Sequence, residues 1–131
     1  MGNRSDVVCI IYPANRLLTG ESVNREEKYA LLKTLMATTF KDVVKEWGSL
    51  MEWIDEGCIL EFDIPDVKWY GDYVEVKAFE DMRDRIEADE FEGIAIEFIR
   101  VGEDSGDIDH HQSMTGEYYL GTQTAIVRGH R

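Results

Sequence analysis

The chain has 131 residues, 44% hydrophobic and 31% charged, a balance that suits one globular domain able to bury a core without disulfide or metal staples. Its formal charge of −13 argues against bare nucleic acid or an anionic membrane as a partner, because both are gripped through Lys and Arg. The longest apolar run is six residues, against the roughly 20 that a spanning helix requires.

The charge is concentrated. Residues 1–50 carry a net +1, residues 51–110 a net −15 and residues 111–131 a net +1. Such asymmetry speaks of partners and solubility, not of fold. It suits either a solvated acidic surface or one that meets a basic protein.

The N-terminus runs directly into the first apolar segment. It has neither the apolar core nor the cleavage site of a signal peptide, and Asp6 stands where a myristoylation signal prefers Ser or Thr. A cytoplasmic location is the resulting expectation. Val7-Val8-Cys9-Ile10-Ile11-Tyr12, ended by Pro13, reads as a central strand covered on both faces. A polar loop over 14–23 follows.

Asn24-Arg25-Glu26-Glu27 has the capping-box pattern. Behind it Leu32, Leu35, Met36, Phe40, Val43, Val44 and Trp47 recur at three- and four-residue steps, one face of a long helix ending near Gly48. Thr38, Thr39 and Phe40 are weak helix formers and mark a place for a break.

Leu50 to Ile54 and Cys58 to Ile64 read as two strands around Asp55-Glu56-Gly57, the second alternating and ended by Pro65. Asp72-Tyr73-Val74-Glu75 is a second capping-box pattern, followed by a helical face of Val76, Phe79, Met82 and Ile86 that runs to about Ala88. The opposite face carries Glu80, Asp81, Asp84 and Glu87. Gly93 to Val101 reads as a fourth strand. Cys9 and Cys58, both in apolar runs, are expected to be buried, reduced thiols.

The order strand, helix, strand, strand, helix, strand is that of an α+β, ferredoxin-like split βαββαβ fold: an antiparallel sheet with two helices on one face. The chain reads as one domain over 1–131. Its core spans about 6–101, an acidic loop 102–111, and an extra C-terminal strand segment 117–128.

Two segments, Val67-Lys68-Trp69-Tyr70-Gly71-Asp72-Tyr73 and Phe98-Ile99-Arg100-Val101-Gly102-Glu103-Asp104 followed by Asp107-Ile108, resemble stretches of small acidic proteins of tailed bacteriophages. The resemblance rests on these two motifs in the C-terminal half. It implies an accessory phage or prophage protein and carries over no catalytic residue.

Motifs with defined chemistry are absent: there is no phosphate loop, dinucleotide fingerprint or Gly-x-Ser-x-Gly elbow. No cofactor and no catalytic residue is expected. Asp107, Asp109, His110 and His111 are the residues a divalent ion would use. Their spacing is not that of a calcium loop, and adjacent histidines on an extended chain point opposite ways, so a solvated acidic loop is the favoured reading. Trp69, Tyr70 and Tyr73 precede the second helix, where they serve either as anchors for a protein partner or as a satellite core. Tyr118 and Tyr119 present the same choice.

The function expected from these observations is that of a non-enzymatic acidic protein that binds, and regulates or inhibits, a basic nucleic-acid-handling or defence protein. Its contact residues would be Glu80, Asp81, Asp84, Glu87, Glu103, Asp104, Asp107, Trp69, Tyr70 and Tyr73. The alternatives are a metal-dependent or small-ligand enzyme built on the 103–111 loop, and an assembly protein that self-associates through an open sheet face. The sequence leaves the oligomeric state open.

Overall fold

The computed structural model describes residues 4–88, 91–103 and 106–112. Five strands form one antiparallel sheet: β1 (Ser5–Pro13), β2 (Met51–Ile54), β3 (Ile59–Val67), β4 (Ile94–Gly102) and β5 (Ile108–Gln112), in the spatial order β2-β3-β1-β4-β5. Three helices accompany it: α1 (Arg25–Ala37), α2 (Lys41–Trp47) and α3 (Val74–Glu87). None is long and apolar enough to cross a membrane.

The apolar run of β1 places it at the centre, between β3 and β4. Val7, Cys9 and Ile11 point into a core shared with the helices, which supply Leu32, Leu35, Met36, Val43, Phe79, Met82 and Ile86. Ile10 and Tyr12 point the other way, into a smaller cluster with Ala14, Ala95, Ile99 and Val101. Among the described residues, no helix residue belongs to that second cluster. Within it the Tyr12 hydroxyl donates to Glu97 Oε2 at 2.7 Å, with Glu97 itself 0% exposed.

The N-cap expected before α1 forms: Asn24 Oδ1 accepts from the Glu27 amide at 3.2 Å. The long helix divides between Ala37 and Lys41. Thr38 Oγ1 donates back to Thr34 O at 2.7 Å, and the Phe40 amide reaches Leu35 O at 2.8 Å, closing the helix and starting a new one. Phe40 is thereby buried.

Four expectations are corrected. Cys58 does not open β3; it sits before the strand at φ +56°, half-buried, while Cys9 is fully buried. Pro65 does not end β3. The strand continues to Val67 through an irregularity in which Asp66 has φ +51° and its amide donates to Asp6 Oδ1, since Pro65 has no N–H to give the ladder. The second capping box does not form: Tyr73 occupies the cap of α3, with no side-chain hydrogen bond there. Finally, the acidic stretch after β4 turns back as β5, pairing Val101 with Ile108 and Phe98 with His111. The strand segment at 117–128 lies outside the described residues.

Removing the Tyr12 hydroxyl takes a donor from a buried carboxyl group. Tyr12→Phe is expected to cost about 1–3 kcal/mol of unfolding free energy. Urea denaturation checks this, and an unchanged midpoint would show that the contact contributes nothing.

Candidate partner-binding surface

The β4–β5 hairpin is organised by Arg100. Its guanidinium donates from Nη2 to Asp107 Oδ1 at 2.6 Å, from Nη1 to Asp107 Oδ2 at 3.2 Å and to Ser5 Oγ at 2.8 Å, and from Nε to Asp109 Oδ2 at 2.8 Å. This fork arrangement uses the planar geometry that only arginine offers. It holds the Asp107 carboxyl below the usual carboxylate range, first through the hydrogen bonds from Arg100. Gly102 completes the turn, its amide donating to Asp107 O at 2.7 Å. A Cβ at Gly102 would collide with the Asp107 carboxylate.

Asp107 and Asp109 are thus engaged by a cation of their own chain. His110 pairs with Ile99 and His111 with Phe98, so the two imidazoles lie on opposite sheet faces. Among the described residues, no three His, Cys, Asp or Glu side chains converge to hold a metal ion.

The expected contact residues fall into distinct environments. Trp69 is partly buried and packed against the core, with the rings of Trp47, Phe79 and Phe98 at centroid distances of 6.1, 5.5 and 5.9 Å. Tyr70 and Tyr73 form an edge-to-face pair 5.3 Å apart at the surface. Glu103 accepts from the Arg4 amide at 2.7 Å, across an open cleft of about 440 Å³ lined also by Asp6 and Asp66. Asp104, Tyr118 and Tyr119 lie outside the described residues.

On α3 the acids separate into two groups. Arg83, nearly buried, lies over the Phe98 ring at 5.0 Å and reaches Asp84 at 3.5 Å and Glu80 at 3.8 Å. A guanidinium withdrawn from water needs such neighbours. Glu87 is turned toward His111, with Oε1 3.8 Å from Nδ1. The outward stripe of the helix is Val74, Lys77, Asp81 and Asp84, at steps of three and four residues. Val74 is 80% exposed and Tyr73 36%, unusual for large apolar groups at the start of a helix whose other apolar residues are buried. The result is an apolar knob at one end of α3 and carboxylates along the rest.

Two further groups of residues escaped the sequence reading. On β2 and β3, Glu52 stands directly opposite Glu61, and Asp63 follows two positions on. Partial burial, then the charges of Glu52 and Asp63, raise the Glu61 carboxyl above its ordinary range. Between α1 and β2, Tyr29 packs edge-to-face on Trp53 with centroids 5.6 Å apart, and its hydroxyl donates to Asp55 Oδ1 at 2.7 Å. Lys33 Nζ lies 4.6 Å from the Tyr29 centroid, 5.5 Å from that of Trp53 and 3.6 Å from Asp55 Oδ1. The Tyr29–Lys33 spacing of four residues was the only sequence signal for this group.

No family model, curated protein or solved structure matches the chain.

Two titrations follow. Because the Asp107 carboxyl is depressed in the fold, its contribution to stability is present above the unfolded Asp value of about 3.9 and lost as pH falls through the lower folded value. Asp107→Asn should therefore lower Tm at pH 7, with the gap to wild type closing under acid; a gap that persists unchanged would mean the ion pair is not its cause. Glu61 has the opposite sign. Its raised folded value makes the ionised form a cost at neutral pH, so Glu61→Gln should raise Tm at pH 7 and lose that advantage as pH drops below about 4.3. Thermal melts across pH read both.

Proposed function

We propose that this is a non-enzymatic acidic interaction protein that binds, and regulates or inhibits, a basic protein partner through the outer face of α3. The observation that carries the reading is the juxtaposition on one helix of exposed Tyr73 and Val74 with the outward carboxylates Asp81 and Asp84. Exposed aromatic and aliphatic anchors supply contact energy, while surrounding charge selects the partner and speeds encounter. The net charge of −13 makes that partner basic. A nucleic-acid-handling or defence protein in a host cytoplasm fits this chemistry, and the resemblance to small acidic phage proteins supports an accessory role of that kind.

The scaffold we infer is a ferredoxin-like split βαβ core. Its support is the antiparallel placement of β1 between β3 and β4, with β2 outside β3. The additions are a divided first helix and β5. An enzyme built on the 103–111 loop finds less support, since Asp107 and Asp109 are held by Arg100.

The test is a pull-down from bacterial lysate with the tagged chain and with the double variant Val74→Ser, Asp81→Lys. The wild type should retain a basic protein that high salt releases, and the variant should lose it with Tm within about 3 °C of wild type, since surface changes cost little. Equal retention by the folded variant would sink the reading.

A further inference from the structure

The group around Tyr29 has the chemistry of a cation receptor. Two aromatic rings meet at 71°, forming two walls, and a carboxylate stands at their rim. A ring face attracts an ammonium through its quadrupole, and paired rings with a nearby carboxylate are the usual way to hold an alkylated amine. The receptor parts are fixed. Tyr29 is buried against the core, Trp53 is carried by β2 opposite Leu60, and the Tyr29 hydroxyl holds Asp55. Arg25 ties the same corner together, donating to Pro13 O at 3.2 Å and to Gly57 O at 2.9 Å.

The cation now in place is different in kind. Lys33 is half-exposed and reaches the rings on a flexible four-carbon stem from the outer side of α1. A ligand tethered in the same chain occupies such a receptor and masks it, so an external ligand of the same class binds in full once the tethered one is displaced or removed.

We propose that Tyr29, Trp53 and Asp55 form a receptor for a lysine side chain, including its methylated forms, presented by a basic protein partner, and that Lys33 is its resident occupant. The basic partner is taken from the reading above, but the site lies on α1 and β2 and is tested without that partner. Phosphate and other anions are excluded by the same chemistry.

The experiment uses the full chain, ¹⁵N-labelled, and reads its three tryptophan indole N–H signals. Trp53 reports on the site, and Trp47 and Trp69 serve as internal controls. The probes are Nα-acetyl-lysine methylamide, its Nε-trimethyl form and its neutral Nε-acetyl form. In Lys33→Ala both cations should shift the Trp53 signal alone, binding about tenfold more tightly than to wild type because the internal competitor is gone. Asp55→Asn in that background should weaken the binding, and the neutral probe should leave Trp53 unmoved. Absence of a Trp53 shift in Lys33→Ala, equal affinity in wild type and Lys33→Ala, or an equal shift from the neutral probe would each overturn the proposal. Loss of the α3 surface in the pull-down has no bearing on these titrations, so the two readings fail separately.

Discussion

Burial of β1 on both faces is the constraint from which the rest of the molecule follows. A strand that presents Val7, Cys9 and Ile11 to one side and Ile10 and Tyr12 to the other is satisfied only between two neighbours, with cover above and below. Pairing with β3 and β4 meets the first demand. Packing of α1, α2 and α3 meets the second on one side, and sets which residues of β3 and β4 must be apolar. Leu60, Phe62 and Ile64 answer from β3, and Ile94, Ile96 and Phe98 from β4. Burial also raises the Cys9 thiol well above its ordinary range, which makes it an inert core group.

Charged residues are arranged around this core by the few arginines that the acidic half contains. Arg100 draws Asp107 and Asp109 into the hairpin, and Arg83 draws Glu80 onto α3 and reaches Asp84, which still faces solvent. With so many more acids than bases, those arginines decide which carboxylates are structural and which are left facing solvent. Asp81, and Glu52 beside Glu61, are in the second group. Acidic composition thus resolves into internal ion pairs and a smaller set of outward charges available to a partner.

The aromatic residues divide in the same manner. Trp69 completes a chain of rings through Phe79, Phe98 and Trp47 and packs against the core. Tyr70 and Tyr73, one and four positions later, remain at the surface. Tyr29 and Trp53 lie between these cases, with their rings packed and their outer edge open to an ammonium. What separates them is the rings each one packs against, a property that residue type does not reveal.

Local pattern was sufficient for the elements whose cause is local. The apolar run of β1, the Asn24 cap, the Thr38 break and the Val76, Phe79, Met82, Ile86 face of α3 could all be read along the chain, because each depends on residues within about a turn of one another. The second capping box failed although its pattern was present, because the helix began later, at Val74, behind exposed Tyr73. Pro65 failed to stop β3 because the bulge at Asp66 absorbed the missing donor. The stretch after β4 has a loop's composition, yet Arg100 pulls its aspartates across into a hairpin. Sequence alone determined the types of β1 to β4 and of the helices, the acidic balance and the central place of β1, since periodicity and composition carry that information directly. Only the tertiary structure decided which carboxylates are neutralised, which aromatics are core, and that Lys33 rests between Tyr29, Trp53 and Asp55, because those outcomes depend on contacts between residues that the fold, and not the chain, makes neighbours.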